Sequence, residues 1–106
     1  MPRFLFEGSY TQAGVQGIQS AGGTSRRDAI ANVTRQLGGE LESLYFALGD
    51  SDVYVVVDLP DAVAATAVAL AVNASGAVAV KTVVLLTPEE VDAAAQRSVD
   101  YRPPGG

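Results

Sequence analysis

Hydrophobic and polar positions alternate at the start of the chain. Arg3-Phe4-Leu5-Phe6-Glu7-Gly8-Ser9 puts Phe4 and Phe6 on one face of an extended segment and Leu5 and Glu7 on the other, which predicts a first strand over 3–9. The next stretch, Tyr10 to Gly23, carries a weaker signal. Thr11 suits a helix cap, but Gly14 and Gly17 each cost a helix interior about 1 kcal/mol relative to Ala, so irregular turns are expected there. Gly22-Gly23 breaks the chain. Thr24 or Ser25 is then expected to cap a better helix, with Asp28 at the capping-box position relative to Ser25. Ala29, Ile30, Val33 and Leu37 recur at helical spacing, and Gly38-Gly39 ends the run.

The second half reads more clearly. Glu40–Leu48 predicts a second strand, Gly49-Asp50-Ser51-Asp52 a turn, and the β-branched run Val53–Asp58 a third strand; so short a polar link makes the pair a hairpin. Asp61 is the expected N-cap of a helix over Ala62–Ala74, which Gly76 ends. That helix is almost entirely Ala, Val and Leu. A helix apolar all round needs cover on more than one side, and a second subunit is the expected source. Ala77–Leu86 predicts a fourth strand. Thr87-Pro88-Glu89-Glu90 then has the cap, the first-turn proline and the capping-box glutamate of a helix start, and the helix is expected to run to about Ser98. Residues 1–98 form one expected domain. Residues 99–106, ending Arg-Pro-Pro-Gly-Gly, have the composition of a disordered tail.

The predicted order, β-α-β-β-α-β with a C-terminal helix, is the α+β ferredoxin-like arrangement. It implies an antiparallel four-stranded sheet in the order 4-1-3-2 with both main helices on one face. The core face would carry Phe4, Phe6, Val53, Val55, Val57, Val78, Val80, Thr82 and Val84. The opposite face would carry Leu5, Glu7, Tyr54, Val56, Asp58, Ala79, Lys81, Val83 and Leu85. A solvated face of an antiparallel sheet is normally more polar than this. The face therefore calls for a partner or a ligand, and two such sheets packed together would make a dimeric α/β barrel with a cavity between them.

Composition sharpens this picture. Hydrophobic residues make up 48% of the 106 positions and charged residues 18%, against a usual charged share of about 25%, so apolar surface is expected at a subunit contact. The net charge of −5 disfavours nucleic acid as a partner. Histidine and cysteine are both absent. Disulfides, cysteine-histidine zinc sites, thiol nucleophiles and imidazole bases are thereby excluded, and the chain is expected to act without a cofactor or metal. No stretch approaches the roughly 20 apolar residues of a membrane helix, and the N-terminus lacks a basic region followed by a long apolar run. The expected compartment is the cytoplasm, with no membrane partner.

The order of several short motifs resembles the GYD-domain family, a bacterial group of small proteins with no firmly assigned reaction. The resemblance rests on Gly8-Ser9-Tyr10-Thr11 with Gly14 and Gly17, on Leu37-Gly38-Gly39, and on Tyr45-Phe46 followed by Gly49 and Asp52. It continues through Asp58-Leu59-Pro60-Asp61, Asn73, and Lys81-Thr82 leading into Leu85-Leu86-Thr87. It spans about residues 2 to 95. Where the naming Gly-Tyr-Asp motif usually has tyrosine, this chain has Ser51 between Asp50 and Asp52. The resemblance implies a ferredoxin-like, dimeric α/β-barrel fold and no particular reaction, since fold does not carry function across a superfamily.

Two sets of residues are candidates for binding. Tyr10, Tyr45, Tyr54, Asp58 and Lys81 lie on or near the open sheet face, where they are expected either to line a small-molecule pocket or, with Glu7 opposite Lys81, to pair at a dimer interface. Thr24, Ser25, Arg26 and Arg27 follow a Gly-Gly pair at a helix start, which presents free N–H groups and positive charge to an anion. Asp50, Asp52 and nearby Asp58 read better as turn chemistry than as a metal site. No catalytic residue is assigned. The expected function is a small-molecule-binding homo-oligomer, and the alternative is an assembly or regulatory module that senses an anion through the Gly22–Arg27 loop.

Overall fold

The computed structural model describes residues 1–106 as an α+β fold. Its elements are β1 (Arg3–Tyr10), α1 (Gln12–Ala21), α2 (Gly23–Gln36), β2 (Glu40–Phe46), β3 (Val53–Asp58), α3 (Ala62–Ala74), β4 (Val78–Leu85) and α4 (Pro88–Ala95). The strands form one open sheet in the order β2-β3-β1-β4, every neighbouring pair antiparallel, as the hydrophobic pattern predicts. Alternation along β1 and β3 buries Phe4, Phe6, Val53, Val55 and Val57 beneath the helices, where Leu59 and Ala65 complete the core. On the sheet, α2 packs against β2 and α3 against β4, while α1 bridges α2 and β1. At the edge, Glu42 sits in a β-bulge between the Leu41–Val57 and Ser43–Val56 pairs. Its carboxylate meets Arg3 Nε at 2.6 Å.

The irregular turns expected over Tyr10–Gly23 are instead the helix α1. Thr11 caps it, its side chain accepting the Gly14 N–H at 3.3 Å. The helix tolerates Gly14 because the backbone of the α3–β4 turn passes against it: a Cβ at that position would collide with the Ala77 carbonyl. The low propensity of glycine reflects a close approach here, not a break in the helix. The start of α2 is also corrected. The helix begins at Gly23, so Thr24 and Ser25 lie inside its first turn, and neither is the N-cap. Gly22 takes that place at φ 86, a left-handed conformation that favours glycine, and offers no side chain to the helix end. Its own N–H closes α1 by donating to the Ile18 carbonyl.

Thr82 and Val84 were expected in the core but are exposed, Val84 by 61%. The edge strand β4 is covered over its first half, where Val78 is buried. Beyond it, the cross-strand partners Phe6 and Phe4 take the helix cover and leave Thr82 and Val84 outside. The strands and helices also end slightly differently from the reading of the sequence: β2 stops at Phe46 and α4 at Ala95. The expected capping box of α4 is present, Thr87 and Glu90 each accepting the other's backbone N–H. Those hydrogen bonds hold the Glu90 carboxyl below its ordinary value of 4.5.

The apolar helix α3 buries Ala65 but leaves Val63 and Leu70 largely exposed on its outer face. At the C-terminus, no residue from Pro88 onward is buried. The radius of gyration is 16.7 Å, well above the roughly 13 Å of a compact chain of about 100 residues. Residues 88–106 thus form an arm that leaves the body of the domain.

Candidate functional site

Between the helices and the sheet lies an open-sided cleft of about 520 Å³, within the roughly 300–1,000 Å³ usual for small-molecule sites. Protein interiors rarely leave a void larger than a water molecule, so so large a space needs a cause. Small side chains provide it. Gly14, Gly17 and Ala21 of α1, Ala29 of α2 and Ala71 of α3 all border the space. Larger residues there would close the gap between the α2 and α3 sides of the sheet. Val53, Val55, Val78 and Val80 form the floor, with Gly8 among them. A Cβ on Gly8 would press on the methyls of Val53 and Val78, so the floor is already packed to its limit.

Polar groups in the cleft are few. Thr34 Oγ1 donates to the Ile30 carbonyl at 2.8 Å, and Ser75 Oγ to the Val72 carbonyl at 2.6 Å. Both hydroxyls are therefore engaged within their own helical turns. Tyr10, Ser25 and Arg26 remain, drawn from the end of β1 and the first turn of α2. Arg26 lies near enough to the Tyr10 side chain for its charge to act on the hydroxyl. Asp52, in the β2–β3 turn, anchors this corner. Its Oδ2 accepts the Tyr10 N–H at 2.9 Å, its own N–H donates to the Gly8 carbonyl at 2.8 Å, and its carbonyl accepts the Ala47 N–H at 2.8 Å. The turn chemistry expected of the acidic cluster is thus a tie from the hairpin to β1. No group of three or more acidic residues gathers as a metal site.

Burial raises the Tyr10 hydroxyl above its ordinary pKa of 10.0; the nearby Arg26 guanidinium opposes this, and the Asp52 charge adds to it. A phenol whose folded pKa lies above its unfolded one contributes stability that is complete below the unfolded value and lost as pH rises through the folded value. The wild type is therefore expected to lose melting temperature from about pH 10 upward more steeply than Tyr10→Phe. Ultraviolet titration of phenolate should show that the variant lacks the highest-titrating tyrosine; identical alkaline profiles would contradict the burial of Tyr10.

The candidate residues divide between the two faces of the sheet. Tyr10, Ser25 and Arg26 meet in the cleft. Tyr45, Tyr54, Glu7 and Lys81 form one cross-strand row on the open face, through the pairs Tyr45–Tyr54, Tyr54–Glu7 and Glu7–Lys81. Asp58 accepts from Arg3 Nε at 3.3 Å on the same face. Thr24 is exposed and does not border the cleft. Arg27 pairs with the adjacent Asp28 at 3.4 Å. Sequence reading missed the contribution of α1. The signal was Gly14, Gly17, Ile18 and Ala21, one helix face of mostly small residues, and it was masked by treating the glycines as breakers.

The cleft, the antiparallel sheet and its helical cover define a small α+β protein with a built-in apolar site. The family model for the GYD domain matches residues 4–95, and the chain belongs to that family. No curated protein and no solved structure matches it. The structure gives several of the family-like residues physical roles. Gly8 floors the cleft, Gly14 admits the Ala77 backbone, and Asp52 ties the hairpin to β1. Asn73 Oδ1 accepts the Val80 N–H at 2.8 Å, joining α3 to β4. Asn73→Ala is expected to destabilise the fold by about 1 kcal/mol, the usual net worth of such a bond. Urea denaturation measures this, and an unchanged midpoint would remove Asn73 from the structural account.

Proposed function

We propose that this GYD domain protein is a small-molecule-binding homo-oligomer that needs no cofactor for binding. The observation that carries the reading is the apolar cleft of about 520 Å³ with a polar corner at Tyr10, Ser25 and Arg26. Leaving so much apolar wall unpacked forfeits dispersion and hydrophobic energy in the free protein. A ligand that fills the cleft recovers it.

Self-association is supported by the open sheet face and by the exposed apolar residues of the arm, Val91, Val99 and Tyr101. On the sheet face, Leu5, Val56 and Val83 form an apolar row across three strands. The flanking rows hold both signs of charge: Glu7 lies opposite Lys81, and Arg3 binds Glu42 and Asp58. A two-fold interface must be complementary to itself, and a face with mixed charges around an apolar centre meets that condition. A second reading, a regulatory or assembly module without a ligand, draws on the exposed outer stripe of α3, where Val63, Ala67 and Leu70 stand along one line.

Native mass spectrometry of the purified protein separates these readings. The expected result is a dimer or larger assembly that retains or takes up small molecules. An oligomer that stays empty against a broad ligand library would favour the module, and a monomer would refute the self-association.

A further inference from the structure

Resting on the reading of the cleft as a binding site, we propose that its ligand is an amphipathic organic monoanion: a carboxylate head on an alkyl or aryl tail. The head would be held by Arg26, the Tyr10 hydroxyl and the open N-terminus of α2.

Arg26 is the only charged residue bordering the cleft. It is partly buried, and the ion pairs of the protein, Arg3 with Glu42 and Asp58 and Arg27 with Asp28, do not include it. A partly buried guanidinium with no carboxylate partner is free to take an anionic ligand with bidentate geometry. Asp52 does not fill that role. It forms no ion pair with Arg26, and its Oδ2 accepts the Tyr10 N–H.

The start of α2 points to the same chemistry. Gly22 and Ser25 border the cleft beside Arg26, and the N-cap makes no side-chain hydrogen bond to the first turn. The positive end of the helix dipole therefore lies uncapped at the one charged corner of an otherwise apolar space. The charge count decides between anions. One arginine with a neutral hydroxyl balances a single negative charge, whereas a phosphate dianion would bring an unbalanced charge against apolar walls. The walls decide the rest of the ligand. Ile18, Ile30, Val33, Val68 and Val72 offer only hydrocarbon, so a tail of methylenes or an aromatic ring gains by entering and a small hydrophilic acid does not.

The test is calorimetric titration of the intact protein with octanoate and phenylbutanoate, and with octanamide as the neutral counterpart. Octanoate is expected to bind at least ten times more tightly than octanamide, and phenylbutanoate to bind as well. Arg26→Gln should abolish the preference by weakening the acid alone, while Arg26→Lys retains part of it. Backbone amide shifts on adding octanoate should centre on Tyr10, Gly22 and Ser25. Tyr10→Phe removes one hydroxyl from the same corner; it should weaken octanoate several-fold, and it keeps the test open if Arg26→Gln does not fold. Equal binding of octanoate and octanamide would overturn the carboxylate head and leave the cleft as a binding site. No binding of any of the three up to millimolar concentration would overturn both.

Discussion

Gly14→Ala is expected to destabilise the domain by about 3 kcal/mol, at the upper end of the usual cost of overpacking. The added methyl would point at the Ala77 carbonyl, which accepts hydrogen bonds from both the N–H and the hydroxyl of Thr11. Neither backbone can retreat without breaking the N-terminal cap of α1 or the start of β4. The matched control is three residues along the same helix. Gly17 has nothing within 4 Å of where its Cβ would lie. Gly17→Ala is therefore expected to stabilise by up to about 1 kcal/mol, the helix-propensity gain of alanine. The two variants should move the melting temperature in opposite directions, by roughly 4–8 °C for each kcal/mol. Equal responses would mean that α1 does not approach the α3–β4 turn as described.

The contrast also shows how a sequence conceals such a site. The strands were legible because β1 and β3 alternate, and burial follows that alternation residue by residue. The start of α4 was legible because its capping box is a local motif with one meaning. Gly14 and Gly17 look alike in the sequence and both lower helix propensity. Only the tertiary fold distinguishes one that admits a backbone from one that borders a space. The same applies to the cleft. Its cause is the joint smallness of residues on three helices, two of them consecutive and the third beyond the β2–β3 hairpin. The Gly22–Arg27 segment was legible as a cationic helix start, but its division was not: Arg26 faces the cleft and Arg27 turns to Asp28. Neighbours on a helix point about 100° apart, so adjacent arginines take different roles once one face is buried. The tyrosines divide in the same way, Tyr10 going to the cleft and Tyr45 and Tyr54 to the open face.

A chain ending at Thr87 is expected to keep its sheet and lose most of its self-association. No residue of 88–106 is buried, so their removal takes away little internal packing. Helix α4 has only eight residues, and so short a helix is marginal in water even when well capped. Its capping box therefore leaves it poised to be held by something outside its own domain. The apolar residues it would offer are Val91, with Val99 and Tyr101 beyond the helix, exposed by 51%, 79% and 73%. Leu86 at the root of the arm and Val84 at the end of β4 are each 61% exposed as well. A second copy of the chain would give reciprocal cover, since two arms exchanged across a two-fold axis would cover the apolar residues of both at once. Light scattering on a size-exclusion column measures the outcome. The full chain should dimerise at micromolar concentration, and the truncated chain should need at least a hundredfold more protein while retaining its β-sheet circular dichroism. A truncated chain that dimerises as tightly as the full one would place the interface on the open sheet face alone, through Leu5, Val56 and Val83. Loss of the sheet signal in the truncated monomer would show that the arm supports the fold of its own domain, contrary to the exposure of every residue in it.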